Sequence, residues 1–428
     1  MMWKAWSLAV FWGVAGFMTL ANPGVTQGAG VSPELVPRIE EAIKKGAAWL
    51  KTKQLPDGSW GIGKNPTYGG AGNAYEPRNG IAALVLFALL KSDVPPTDPV
   101  ITKGFAFLAK SGSVPAHTYE TSVMILAYDA LAQGRIQATA KAKIKDPKRR
   151  RVFVEKSRRL AAKWLTKKER DHVKRMVDFL VVNQSPRGGW RYGPNMSDVG
   201  HSEDVSSTQF VLLGLMAGSR LGTRHKTHEK VFLKTLGFLH EAQEKDGPAL
   251  AAQVVGDTGG GSDKSFVVRE GDKARGFPYI PGAPHKDGKV VGSMTAAGTV
   301  SLILCKAVLR RNGRYRKTLA TRTERGIFDG LAWLDHHWTL QQNPGAGHNR
   351  IYYYLYGLER VGVLGSVEYI GKHHWYAEGA KVLVNAQKPD GHWNTHSEVE
   401  PTDIIDTCYA LLFLKKATIP VGVAVTRD

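Results

Sequence analysis

Cysteine is almost missing. The 428 residues hold two, Cys305 and Cys408, which allow one bridge at most, so the fold has to be made by packing rather than by a disulfide framework. Acids are scarce beside bases, 38 Asp and Glu against 58 Lys and Arg, and the net charge of +20 bears on solubility and partners rather than on fold. Past the N-terminus no segment reads as a membrane span of about 20 apolar residues. Strand patterning has almost no support, and the Gly-rich stretch from Asp246 to Gly292 lacks the strand, Gly-Lys-Ser/Thr and helix order of a nucleotide loop.

What is present begins with a basic start, Met1 to Lys4, an apolar run from Leu8 to Leu20, and the small and turn residues Ala21-Asn22-Pro23-Gly24 and Gly28-Ala29-Gly30. That layout predicts a signal peptide over residues 1–30 and an exported protein, periplasmic or secreted, with an uncleaved N-terminal anchor as the alternative.

A phrase then recurs six times: an anchor residue, an apolar residue four positions on and Leu five on. The anchors are Lys45, Lys103, Arg175, Lys234, Asp329 and Glu378. Three copies keep a longer ending with Gln and Trp at fixed offsets, namely Gln54 and Trp60, Gln184 and Trp190, Gln387 and Trp393. Each copy precedes a second apolar stretch with helical spacing: Arg78 to Leu90, Thr118 to Leu131, Glu203 to Ser219, Thr295 to Leu309, Asn349 to Val361 and Thr402 to Lys416. A supersecondary unit repeated this way buries its apolar face only by stacking on its neighbours.

The stretch from Lys45 to Trp60 resembles the QW motif of the terpene cyclase (squalene cyclase) and protein prenyltransferase superfamily, and the likeness covers roughly residues 38–416. It implies an all-α fold, an (α/α)6 toroid over residues 31–428, with the first helix of each pair outside and the second inside. It also implies a central cavity for an apolar, isoprenoid-type small molecule or a polymer, and a bridging rather than chemical role for the Gln and Trp residues. The competing reading is a non-catalytic binding or scaffold protein of the cell envelope. In ring order Cys305 and Cys408 fall on second-neighbour helices, too far apart for a bridge, so both thiols are expected free.

In that superfamily the functional groups stand at the N-terminal ends of the inner helices. Here those positions offer the candidate catalytic acids Glu120, Asp204, Asp403 and Asp406 and the candidate ligand-binding residues His348, Tyr353, Tyr354 and Tyr409. The cyclase motif Asp-x-Asp-Asp is absent. Asp406 stands before Thr407-Cys408-Tyr409, where prenyltransferases carry a zinc-ligating His, and the other two ligands have no counterpart, so no metal and no cofactor is expected. Asp403 and Asp406 share one helix face, where burial raises a carboxyl's pKa and the helix dipole lowers it. Carboxylates with aromatic platforms also suit a glycan-acting enzyme, and whether the protein is catalytic stays open. The plainer reading makes these acids helix-dipole partners, with Thr118, Ser202 and Thr402 as N-caps.

Two insertions interrupt the repeats. Residues 135–175 hold 17 Lys and Arg against 4 acids, a solvated excursion or a contact for an anionic membrane or envelope surface, with no nucleic acid expected. Residues 246–292 are rich in Gly and Pro and stand where the fourth repeat should have its Gly-x-Trp ending.

Overall fold

The computed structural model describes residues 31–61, 78–110, 114–193, 203–251, 265–266, 271–283, 288–395 and 401–420, without the side chains of 265–266 and 401–402. The expected export segment at 1–30, Ser202 and part of the Gly-rich insertion lie outside them.

Six helical hairpins follow one another. They are α1 (Leu35–Thr52) with α2 (Arg78–Lys91), α3 (Pro99–Lys110) with α4 (Thr118–Lys143), and, after α5 (Pro147–Arg158) and a 3-10 turn at Ala161–Trp164, α6 (Lys167–Val182) with α7 (Val205–Arg220). Then come α8 (His228–Ala242) with α9 (Gly292–Leu309), α10 (Lys317–His336) with α11 (Ile351–Gly365), and α12 (Trp375–Ala386) with α13 (Pro401–Leu414). Each second helix packs on the next, α2 on α4, then α7, α9, α11 and α13, and α13 packs back on α2. The fold is an all-α (α/α)6 toroid. The outer helices carry one apolar stripe, Leu35, Ile39, Ala42, Ile43 and Leu50 in α1, while α2 is buried all round from Ile81 to Leu90, the difference between a surface helix and a core helix. By length and hydropathy α9 would qualify as a membrane span, yet 83% of it is buried inside the ring.

The repeated phrase joins neighbouring hairpins. Trp60, Trp190 and Trp393 are at most 1% exposed, and their Nε1–H groups donate to the carbonyls of Leu50, Leu180 and Leu383 at 2.7–2.8 Å, each at the end of its own outer helix where orphan carbonyls need donors. The Gln amides reach in two directions. Gln54 donates to Gly58 and to Val100 on α3, Gln184 to Gly188 and to Val231 on α8, and Gln387 to Gly391 and to Ala42 on α1. The last of these closes the ring. Gly58, Gly188 and Gly391 have φ of +92°, +106° and +104°, and a Cβ there would stand 2.4–2.7 Å from a carbonyl of the next outer helix. Only glycine fits that turn.

The fourth repeat keeps the same joint in disguise. Gln243 donates to the carbonyls of Arg275 and Gly326, and Phe277, fully buried, takes the Trp place. Its N–H donates to Thr295 Oγ1 as those of Trp190 and Trp393 donate to Thr208 and Thr407. The insertion therefore sits inside the turn, and the repeat ending resumes at Arg275.

The basic stretch is not a loose excursion throughout. Helix α4 runs on to Lys143, and α5 and the 3-10 turn pack on it through the buried Val154 and Ala161. Arg135 clasps Glu169 with two bonds of 2.8 and 2.9 Å.

Candidate functional site at the N-terminal mouth of the ring

All six inner helices point the same way, so their N-termini, with unpaired N–H groups and partial positive charge, converge at one end of the axis. Three of the four predicted acids answer that field locally. Asp204 is the N-cap of α7: it is fully buried, accepts from Ser207 N at 2.5 Å and Ser207 Oγ at 2.8 Å, and pairs with Arg191 at 2.9 Å. Burial raises its pKa, opposed by Arg191 and Ser207. Glu120, 3% exposed, accepts Gly80 N at 2.9 Å and so caps the neighbouring α2. Asp403 lies 3.8 Å from His392 Nε2, on the side of the α12–α13 turn.

Asp406 differs. It is 6% exposed and accepts one backbone N–H, from Thr395 at 3.1 Å. Burial pushes its pKa up to about 7, the Asp403 charge adds to the rise, and the Thr395 bond and the Arg350 charge oppose it. Burial thus holds Asp406 protonatable near neutrality.

Beside it runs a belt of rings. Tyr279 and Tyr192 share a hydroxyl–hydroxyl hydrogen bond, and Tyr192 stacks on His117 at 5.3 Å and 15°. Tyr119 lies 5.9 Å from Tyr192 and 5.2 Å from Phe210. Phe210 stacks on Tyr353 at 6.2 Å, and Tyr353 and Tyr356 both meet Tyr409 at 5.4 and 5.6 Å. The hydroxyls are organised too: Tyr119 donates to Ser206 Oγ, which bonds Tyr353 OH at 2.7 Å. His117, Tyr119, Tyr192, Tyr279 and Tyr409 stay partly exposed, whereas Tyr353 is buried beneath them. Burial raises the pKa of Tyr119, Tyr192, Tyr279 and Tyr409 and lowers that of His117 to about 4, so neutral rings face the mouth at physiological pH. Arg350, exposed and in the left-handed region at φ 58°, lowers the pKa of Tyr192, Asp406 and Tyr409 alike and thus sits between the two sides of the mouth.

The other candidates fare unevenly. Tyr353 and Tyr409 belong to the belt, and His348 is exposed in the loop before α11. Tyr354 is corrected: it is fully buried and lies over Gly292 on α9, where a Cβ would be 2.9 Å from its Cε2. The N-cap readings shift as well. His117, not Thr118, is the N-cap of α4, while Thr118 Oγ1 donates to the Arg191 carbonyl.

Sequence reasoning missed His117, Tyr119, Tyr192, Tyr279 and Arg350. Two of them had a signal. Tyr192 and Tyr279 each stand two residues past the repeat's terminal aromatic, Trp190 and Phe277, and their carbonyls accept the first N–H of the preceding inner helix, from Thr118 at 2.8 Å and Val205 at 3.0 Å. Thr395, which holds Asp406, occupies the same place after Trp393.

The comparisons with known proteins correct the family reading. No protein-family model matches the chain, and no curated protein matches it. Solved structures similar to it are two inactive variants of the α-1,6-mannanase GH76A of Salegentibacter sp. HEL1_6. The variant in complex with α-1,6-mannotriose is 8% identical, with 89% of this chain and 98% of that one covered, at a TM-score of 0.49. The variant with α-1,6-mannotetrose is 7% identical over the same shares, at 0.48. A family 76 glycoside hydrolase from a bovine Bacteroides thetaiotaomicron strain is 9% identical, with 88% and 77% covered, at 0.46. The terpene cyclase and prenyltransferase assignment, which no family model supports, is withdrawn, and with it the isoprenoid or other apolar ligand. The geometry agrees: Phe210, Tyr353, Tyr356 and Arg360, each at most 7% exposed, fill the axis where an apolar ligand was expected. Identities this low leave every role at the site to be argued from its own chemistry.

Proposed function

We propose that the protein is an exported glycan-acting enzyme whose cleft is the tyrosine-lined mouth of the ring, with Asp406 as proton donor. The observation that carries this reading is a buried carboxyl pushed up to about 7 at the edge of a belt of partly exposed rings. Sugars present C–H faces to rings and hydroxyls to polar edges, and the mouth offers both in one surface, with Arg191 donating to Tyr279 OH at 3.1 Å. A general acid works best with a pKa near the working pH. In the proposed step Asp406 gives its proton to the glycosidic oxygen as the C–O bond breaks, the leaving sugar departs as an alcohol, and a water adds to the anomeric carbon and gives its proton to Asp403. Asp403, whose charge helps keep that proton in place, is the second carboxyl of the pair.

The test is a panel of neutral and acidic polysaccharides assayed for binding by calorimetry and for new reducing ends. Asp406→Asn should lower turnover by about 100-fold or more while leaving binding within threefold, and Tyr192→Ala or Tyr409→Ala should weaken binding itself. Failure to bind any polysaccharide, or full turnover in Asp406→Asn, refutes the proposal.

A further inference from the structure

The basic stretch plays no part at the mouth and lies at the other end of the ring, where the inner helices run out. Helix α4 outlasts its neighbours there. Gly134 stands level with the end of α2, since a Cβ on it would meet Pro96 and Leu90 at 2.9 and 3.4 Å, and Arg135 to Lys143 carry the helix about 13 Å farther at roughly 1.5 Å per residue. Helix α5 folds back along this overhang, Arg158 reaching Gln133 Oε1 at 3.2 Å, and the 3-10 turn after it offers the Trp164 carbonyl to Arg135 at 2.9 Å.

Cations crowd this end. From Lys141 to Lys163 ten exposed Lys and Arg side chains stand against two exposed acids, and both acids are engaged locally: Asp146 accepts Arg149 N at 2.7 Å as the cap of α5, and Glu155 pairs with Arg151 at 3.1 Å. The next two connections around the ring continue the face. Gly222, just after α7, lies against the 3-10 turn, where a Cβ would be 3.2 Å from that of Ala162. Arg224 and Asn312 share Glu229, at 2.6 and 2.5 Å, and the stretch from Arg310 to Lys317, after α9, adds five exposed Lys and Arg and no acid.

Apolar side chains stand among these charges. Val152 and Leu160 are 48% and 52% exposed, two of the four large apolar side chains left exposed among the described residues, and the partly exposed Trp164 meets Phe153 edge-on at 6.2 Å. A hydrated polyanion would draw the cations but offer Val152 and Leu160 nothing to enter. An anionic bilayer serves both, because its headgroups attract Lys and Arg while the acyl boundary beneath takes up aliphatic and Trp side chains. We propose that this end of the ring docks on an anionic lipid bilayer, with the cations of α5 and its neighbouring connections over the headgroups and Val152 and Leu160 at the acyl boundary. The mouth, at the opposite end of the axis, then faces away from the membrane, and the docking does not depend on what the mouth binds.

Co-sedimentation of the full chain with vesicles tests this, comparing pure phosphatidylcholine with an equal mixture of phosphatidylcholine and phosphatidylglycerol. The gain in affinity from the anionic lipid should be about 100-fold or more at low salt and should vanish near about 1 M salt. Lys148→Gln, Arg149→Gln, Lys156→Gln and Arg159→Gln combined should lose most of that gain, and since all four side chains are exposed the variant should melt with the wild type. Val152→Ser with Leu160→Ser should weaken binding to the anionic vesicles about tenfold and leave binding to soluble dextran sulfate unchanged. Equal affinity for the two vesicle types, or a gain that survives the four Gln substitutions, would overturn the proposal. So would vesicle binding untouched by the two Ser substitutions, which would make the partner a soluble polyanion.

Discussion

Removing the Trp393 side chain measures what the repeated phrase is worth at the seam where the last hairpin meets the first. The ring is fully buried, its Nε1–H donates to Leu383 O at 2.8 Å, and a Cβ on Gly46 of α1 would lie 2.7 Å from its Cζ3. Burying about 200 Å² of apolar surface at roughly 25 cal/mol per Å² contributes about 5 kcal/mol, and measured Trp→Ala losses run about 3–5 kcal/mol. We therefore expect Trp393→Ala to cost about 4 kcal/mol. Trp393→Phe keeps most of the area and loses one hydrogen bond, so about 1–2 kcal/mol is expected, in line with Phe277 at the same place in the fourth repeat. Equilibrium urea unfolding reads both as a fall in midpoint at constant slope. A Trp393→Ala loss below about 1 kcal/mol would refute the packing argument. Equal losses for Ala and Phe would show that the hydrogen bond, not the buried ring, carries the junction.

Asp406 should leave a signature in the pH dependence of stability. Its folded pKa of about 7 lies above the ordinary 3.8, so the folded state holds the extra proton. This stabilisation is complete below about pH 4 and is lost as pH rises through 7, by about 4 kcal/mol at most. Asp406→Asn should flatten that slope and gain on wild type at pH 8, and an unchanged slope would count against the raised pKa. Asp204→Ala removes an N-cap and leaves Arg191 without its partner, for an expected loss of about 3 kcal/mol in urea. Gly188→Ala sets a Cβ 2.4 Å from the Lys234 carbonyl at φ +106°, and about 2 kcal/mol or more should be lost. Cys305 and Cys408 are free and fully buried, and burial raises both thiol pKa values. Neither should react with a thiol reagent until the protein is unfolded, and fast labelling of the native state would contradict this.

The six repeats were legible in the residues, because a fixed phrase and helical spacing are local patterns that packing only has to accept, whereas the order of outer and inner helices came with the resemblance. The Gln and Trp offsets were legible as fixed spacing, because one acceptor of each Gln lies four residues on and that of each Trp ten residues back, while the second Gln acceptor, on the next hairpin, was not. Gln243 obeys the offset as well, but its aromatic partner Phe277 lies beyond an insertion, which hid the fourth joint from a reading by fixed spacing. The family name did not follow from the phrase, since a ring of hairpins needs such joints whatever the chemistry at its mouth.

From the chain alone came the six pairs of helices and the Gln and Trp joints between them, set by periodicity and spacing, while the closed ring and the end of it where chemistry was sought came with the family resemblance. Which acid remains available there was decided by tertiary structure. Glu120 and Asp204 look equivalent to Asp406 in sequence, yet one meets Gly80 on the next helix and the other meets Arg191. Asp406 is held by the backbone and side chain of Thr395 and is 6% exposed. The same holds for Tyr119, Tyr192, Tyr279, Tyr353 and Tyr409, scattered over almost 300 residues and joined into one belt because the ring brings its helix N-termini together. Burial and partners across the axis are long-range properties, and they set a carboxyl's proton affinity more strongly than its neighbours in sequence do.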